Sequence, residues 1–593
     1  MLALVVGLVP VAALLFFGYG IVDPEGAVFL RQYWEDRPIG EMIFNPERND
    51  WGFYSGRELS HVFDWLDSLF VLLAARHSQV ILGLHASAWL ANLLVMALVV
   101  WRGPVVFPGT NRVFWLLLAG IYLSSLPIAL SPLVFHRASR LLSATAGLAA
   151  LWMLIDCRIS ADRRPLPPGR AGGQLHHAAM ALVAAFAVLM DRIGLAVILA
   201  AFGVVVLHAI WRKRGWLSAA WLLASIAVCQ IYHSFVGPAL NARFSDFQGE
   251  VAAQPFTTSG LAPWELLAAS ARYLANVVPM VLGGLPWWAA LMAAALFAAA
   301  AWRRAAGPGK AARFAAFTVA ALAAIATAYA ITVATIYVLP SIRAIGSANC
   351  YYYPVYAASL LWLVLAVGSA SMANGTGGLV KRSLPWCLAL VLASNLVHWP
   401  IWETRFQQCS WFSGMVADTA RLRRSCEEKK MNPEMSGRHR RLLSVVAEEC
   451  PWLAASYWPA AEPLTGFFVA RKDADRPPRF WVGPGAKIRL HAPAKGKYEL
   501  KLAVAGVVEG DCRLIIKSKG AIAGEIDLPA RPGEAREFQL PLDLRKGATT
   551  LELDPSVDGP MLSTLGLAET PDGTDAPIGC ALVGIPVLRP IDN

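Results

Sequence analysis

The sequence predicts a polytopic α-helical membrane protein of about 11 spans that ends in an extracytoplasmic β-sandwich. Three observations predict it. The chain is 56% hydrophobic and only 16% charged, with mean hydropathy +0.48, whereas a soluble domain carries about 25% charged residues. Long apolar runs alternate with short loops in which Lys and Arg collect. After about residue 403 the pattern changes to charged segments and then to short alternating strands.

In chain order, apolar spans are expected near 2–20, 78–100, 113–133, 139–156, 176–190, 193–211, 216–236, 280–301, 313–338, 354–371 and 384–402. The first run has no basic leader segment and passes through Phe16, Phe17, Gly18 and Tyr19 without a small-residue cleavage pattern, as a retained span would. Alternate loops hold Arg102 and Arg112, then Arg158, Arg163, Arg164 and Arg170, then Arg212, Lys213 and Arg214, then Arg303, Arg304, Lys310 and Arg313, then Lys381 and Arg382. These basic loops belong in the cytoplasm. The loops 21–77, 134–138, 237–279 and 339–353, with a turn at 191–192, then face outward, as does everything after 403. The net charge of +11 is spread over these loops, which argues for membrane topology and against nucleic acid as a partner. No repeat of solenoid length appears, and the Ala-rich tract Ala293–Ala301 suits a close-packed helix face.

Three regions follow: a membrane region 1–402, a mixed helical connector 403–479 with helical pieces at Ala417–Lys430 and His439–Glu449, and a β-sandwich 480–593. Strands are expected at Lys487–His491, Lys497–Ala505, Cys512–Lys517, Glu537–Pro541 and Thr549–Leu553, with Pro493 and Gly496 marking a turn. Cys350, Cys409, Cys426, Cys450, Cys512 and Cys580 all fall on the outer, oxidising side, where disulfides form; the spacing leaves their pairing open. No metal-ligand spacing is present, so no metal and no cofactor is predicted.

Two clusters carry candidate chemistry. Asp23 and Glu25 flank Pro24 at the outer mouth of the first span, where an ionisable group is costly without a purpose. Burial near apolar spans would raise a carboxylate's pKa and suit it to deprotonate a hydroxyl; the plain alternative for Asp23 is a turn residue before proline. In the same outer loop, Arg57, Glu58 and Asp64 open a helical segment in which His61, Asp64 and Trp65 share one face and Phe63, Leu66 and Phe70 another. A helix lying on the membrane surface explains that pattern without catalysis. The second cluster is basic and outward: His136, Arg137 and Arg140, then Arg192 beside Asp191, then Arg343 ahead of Tyr351, Tyr352 and Tyr353. Arginine's planar fork suits phosphate. Snorkelling to headgroups, or an Asp191–Arg192 pair with local partners, accounts for any one of them singly.

An acidic group after the first span, a long first outer loop with amphipathic helices, about eleven spans and an outer C-terminal domain together resemble the GT-C fold membrane glycosyltransferases. The layout is most similar to bacterial arabinofuranosyl- and mannosyltransferases that end in a carbohydrate-binding-like β-sandwich. The resemblance covers the whole chain as architecture and rests on one short motif, Asp23-Pro24-Glu25. That family often carries an adjacent acidic pair; here Pro24 intervenes, and the base is left open between Asp23 and Glu25. The resemblance implies a bacterial inner membrane enzyme with its C-terminal domain on the periplasmic or extracellular side. It implies inverting transfer of a sugar from a polyprenyl-phosphate donor to a glycan or lipid acceptor of the cell envelope. His136, Arg137, Arg140, Arg192 and Arg343 would hold the donor phosphate, and Arg57, Glu58, Asp64, Tyr351 and Tyr352 the acceptor. The competing classes are a transporter or flippase of a lipid-linked saccharide and a non-catalytic envelope assembly protein. Loss of turnover on mutating Asp23, with the fold kept, separates a transferase from the last of these.

Overall fold

A computed structural model describes residues 39–44, 58–77, 86–125, 127–129, 138–163, 171–191, 193–213, 215–237, 239–240, 262–282, 310–336, 352–373, 378–406, 421–428, 461–469, 479–492, 495–507, 513–528, 534–556, 578–584 and 586–591. The chain divides into two compact units, one within 1–23, 56–237 and 254–414 and the other within 24–55, 238–253 and 415–593.

The first unit is helical: α2 (Glu58–His77), α3 (Ala86–Val106), α4 (Arg112–Ser124), α5 (Ala138–Arg163), α6 (Ala171–Met190), α7 (Ile193–Arg212), α8 (Trp216–Ile231), α9 (Pro263–Val281), α10 (Lys310–Ile336), α11 (Tyr352–Ala373) and α12 (Gly378–Phe406). The short α1 (Ile39–Phe44) falls in the second unit. Five stretches among the described residues are long and apolar enough to cross a membrane: Ser87–Val106, Arg140–Cys157, Ile193–Arg212, Trp216–Val236 and Pro354–Ala373. They coincide with five of the expected spans. The expected spans at 113–133, 176–190, 313–338 and 384–402 fall on shorter apolar helices. The span 2–20, most of 280–301 and the segment His439–Glu449 lie outside the described residues. Within the expected outer loop 237–279 lies α9, a helix capped by the Glu265 carboxylate accepting from the Ala262 N–H at 3.0 Å.

Burial ranks the spans. The Arg140–Cys157 and Pro354–Ala373 windows are 83% and 72% buried, against 22–39% for the other three, so α5 and α11 form the centre and the rest surround them. Hydrogen bonds fix relative directions. His177 meets Ser218, Ser225 donates to Ala181 O and Cys229 to Ala185 O, so α6 and α8 run parallel. Ser143 donates to Ala187 O and His176 meets Met153 O, so α5 and α6 run antiparallel. Two ion pairs mark the ends of α5: Arg140 with Asp191, and Arg102 with Asp156. Arg140 and Asp156 are sixteen residues apart, about 24 Å along a helix, close to the thickness of a hydrocarbon core. Between them the packing changes character. Towards Asp156 it is aromatic, with Trp115 and Trp152 edge-to-face at 5.2 Å and Phe107 beside both. Towards Asp191 it is polar.

The second unit ends in a nine-stranded antiparallel sheet: β1 (Ala461–Val469), β2 (Arg479–Ala492), β3 (Gly496–Gly506), β4 (Arg513–Ser518), β5 (Ala521–Asp527), β6 (Ala535–Leu544), β7 (Gly547–Pro555), β8 (Cys580–Val583) and β9 (Val587–Pro590). The order is β5-β4-β7-β2-β8-β3-β6, with β1 on β2 and β9 on β3. Four of the five expected strands lie within β2, β3, β6 and β7, and the fifth, Cys512–Lys517, coincides with β4 apart from Cys512, which lies outside the described residues. The sheet starts earlier than 480, because β1 pairs along β2, so 461–469 belongs with the sheet and not with a helical connector. Residues 421–427 are helical, inside the expected 417–430. On β3, Tyr498, Leu500, Leu502 and Val504 are buried while Lys497, Glu499 and Lys501 alternate outward. The period of two lets one face join Ile488, Leu490, Leu551 and Leu553 in a single core. β2 and β3 follow one another yet are not hydrogen-bonded neighbours; β8 lies between them. Lys519 (φ 51) and Gly520 (φ 82) form the two-residue turn between β4 and β5, the left-handed geometry in which glycine is the easy residue. Outside the core, Asp554 accepts a 2.7 Å hydrogen bond from Lys517 and holds its ammonium above the ordinary lysine value.

Cys426 is disulfide-bonded, a crosslink characteristic of oxidising compartments. Cys580, by contrast, is a thiol buried in the sheet core.

Candidate functional site

The polar end of the helical unit is built around Asp191, in the tight connection between α6 and α7. Its Oδ1 accepts from the Ile193 N–H at 3.0 Å, capping α7. Its Oδ2 accepts from Arg140 Nε at 3.0 Å. Both side chains are 5% exposed or less, and buried charges of this kind require pairing. One turn below Arg140, the Ser143 hydroxyl bonds the Tyr356 hydroxyl as well as Ala187 O. Gly194 makes this closeness possible: a Cβ there would lie 2.7 Å from both Ala187 O and Tyr356 Oη, and 2.9 Å from Ser143 Oγ.

Further polar contacts join six helices. Asn92 Oδ1 accepts from Tyr122 Oη at 3.0 Å and Thr145 Oγ1 at 2.9 Å, while Tyr122 Oη meets Ser359 Oγ at 3.2 Å. Asn395 Nδ2 donates to Ser124 Oγ at 3.0 Å and reaches the carbonyls of Ile121 and Val281. Buried polar groups of this kind are stabilising only when mutually satisfied, and here each finds its partner on another helix.

Across the same end lies the first part of α2. Glu58 Oε2 accepts from Tyr232 Oη at 3.0 Å, Phe63 stands edge-to-face with Phe186 at 5.8 Å, and Asp67 accepts from the Ser87 N–H at 3.0 Å and its hydroxyl at 2.7 Å. Tyr232, Phe186 and Ser87 all fall at the Asp191 ends of their helices. The expected surface helix is therefore present, but its polar stripe faces inward. Glu58, Ser60, His61, Asp64 and Asp67 are each 2–3% exposed, whereas Leu66 is 36% exposed. In water this orientation would be inverted; beside lipid it is the economical one, since apolar groups face the hydrocarbon and polar ones face protein. Tyr232 reaches Glu58 because α8 finishes in a π-helical turn, Tyr232–Val236, a local widening that re-aims side chains and recurs at functional sites. Asp67 supplies negative charge at the N-terminal turn of α3, where orphan N–H groups favour it.

Of the sequence-predicted site residues, Glu58, Asp64 and Arg140 are described, and all three are buried at this one end. Arg140 forms a buried ion pair with Asp191 at 3.0 Å. Asp23, Glu25, Arg57, His136, Arg137, Arg192, Arg343 and Tyr351 lie outside the described residues. Tyr352 opens α11, and its side chain is likewise outside the description. Sequence reasoning did not select Tyr232, Asn92, Ser143 or Tyr356. A hydroxyl or amide within an apolar run is no anomaly by itself, and the π-helical turn has no sequence signature. Asp191 was more visible, as a carboxylate between two helices.

Compared with known proteins, the chain matches no family model and no curated sequence.

Proposed function

We propose that this chain is a membrane glycosyltransferase of the GT-C kind, moving a sugar from a polyprenyl-phosphate donor to an envelope glycan or lipid acceptor at the Asp191 end of the helical unit. The observation that carries the reading is the inward stripe Glu58–His61–Asp64–Asp67, at the end on which the sequence places an outer acidic motif and outer basic residues. Carboxylates held there can accept hydrogen bonds from sugar hydroxyls, and low dielectric strengthens each such bond. In the proposed step, an acceptor hydroxyl attacks the anomeric carbon while Asp23 or Glu25 takes its proton. The carbon–oxygen bond to phosphate breaks with inversion, and polyprenyl phosphate leaves with the bonding pair. Arg137 and Arg343 stabilise the leaving charge. The carbohydrate-binding-like sandwich would hold the acceptor glycan.

A lipid-linked saccharide flippase would also use a polar chamber between helices. Turnover separates the two. Membranes carrying the chain, given a polyprenyl-phosphate sugar, should release polyprenyl phosphate and form a glycosylated acceptor. Asp64→Asn and Glu58→Gln should raise the acceptor KM, while Leu66→Ala, on the outward face, should leave it unchanged. Movement of intact donor across the bilayer without release of polyprenyl phosphate identifies a flippase instead.

A further inference from the structure

At the opposite end, near Asp156, a half-open cleft lies between α5, α7 and α10. Leu151 and Ile155 form one wall, Ala201 and His208 a second, Phe317 and Ala321 the third. Its walls are almost wholly apolar, and the His208 ring packs on Phe317 at 4.6 Å. Arg212 follows His208 by four residues, so it shares the cleft-lining face of α7 one turn nearer the helix end. There it is exposed, and its guanidinium stacks on the exposed Trp211 ring at 4.5 Å. Arg102, at the same end, is committed to Asp156. Arg212 has no carboxylate partner among the described residues. Leu207 and Ile210, 68% and 59% exposed, lie on α7 outside the cleft and give the helix an outward apolar face.

An apolar slot about two helical turns long, with the cation of Arg212 one turn beyond it on the same helix face and an aromatic ring beside it, has the shape and polarity of a lipid turned on end. We infer that the cleft binds one acidic phospholipid, its acyl chain between α7 and α10 and its phosphate on Arg212. The basic loops that the sequence assigns to this end put it in the leaflet where acidic lipids are concentrated. The inference rests on reading the helical unit as membrane-spanning, and it is separate from the proposed sugar-transfer site at the other end.

The test is photo-crosslinking of the full chain in native membranes. Benzoylphenylalanine at Ala321 should yield adducts with the mass of an acidic phospholipid, enriched over the membrane average. Arg212→Gln should lower that enrichment about fivefold, the effect of roughly 1 kcal/mol for one basic residue at an acidic membrane surface. Benzoylphenylalanine at Leu207, outside the cleft, should label lipid without headgroup preference. Lipid adducts at Leu207 with none at Ala321, or enrichment indifferent to Arg212→Gln, overturns the inference alone. A polyprenyl-phosphate adduct at Ala321 overturns it in favour of a donor site. Absence of lipid at Leu207 overturns the membrane reading beneath it.

Discussion

Replacing Asp191 isolates what holds the polar end together. Asp191→Ala removes two interactions at once: the 3.0 Å pair with Arg140 and the 3.0 Å cap on Ile193. Taking one member from a buried ion pair costs about 3–5 kcal/mol, and losing the cap adds about 1 kcal/mol. The total, about 4–6 kcal/mol, is a large share of the about 5–15 kcal/mol that holds a typical domain folded. Asp191→Asn keeps an oxygen for the cap and loses the charge, so it should cost less than Ala. Adding Arg140→Met to Asp191→Asn removes the other member of the pair and should recover part of the loss. The assay is reversible unfolding of the purified protein by SDS in bicelles. A double-mutant cycle should give a coupling of at least about 2 kcal/mol, within the range for residues in direct contact. A loss under about 1 kcal/mol for Asp191→Ala, or simple additivity in the cycle, would refute the claim that this pair anchors the site.

Further outcomes can be checked independently. Gly194→Ala places a methyl 2.7 Å from Tyr356 Oη and Ala187 O, so overpacking should cost about 1–3 kcal/mol in the same unfolding assay. Cys426 should resist maleimide until a reductant is added, because it is disulfide-bonded; labelling without reductant contradicts the crosslink. A cysteine introduced at Ser55 should react with an impermeant reagent from outside the cell, and one at Pro167 should not. The reverse pattern would invert the orientation drawn from the basic loops.

The apolar helices were legible in the sequence because the bilayer imposes length and low charge together. The apolar stretch of α5 was legible as well: Arg140 and Asp156 stand at its two ends. Five strands were legible through their alternation, whereas β1 was missed because Pro463 and Gly466 interrupt its pattern and two register shifts are needed to pair it with β2. The candidate site was legible only by residue type. That Glu58 and Asp64 sit near the Asp191 end followed from loop position. That the polar stripe of α2 turns inward did not, because periodicity gives two faces and says nothing about which one meets lipid. Tyr232 was beyond reach for a related reason: its aim depends on one extra residue in a helical turn.

Sugar transfer by variants of the first-loop carboxylates tests the central claim most directly. With a polyprenyl-phosphate sugar as donor, membranes containing the wild-type chain should release polyprenyl phosphate. Asp23→Asn keeps the size of the side chain and removes its basic lone pair, so it should slow release about a hundredfold or more if it is the base. Glu25→Gln should then leave the rate nearly unchanged, while the opposite ranking would move the base to Glu25 within the same site. Full transfer by both variants, or no release of polyprenyl phosphate by the wild type, contradicts the account.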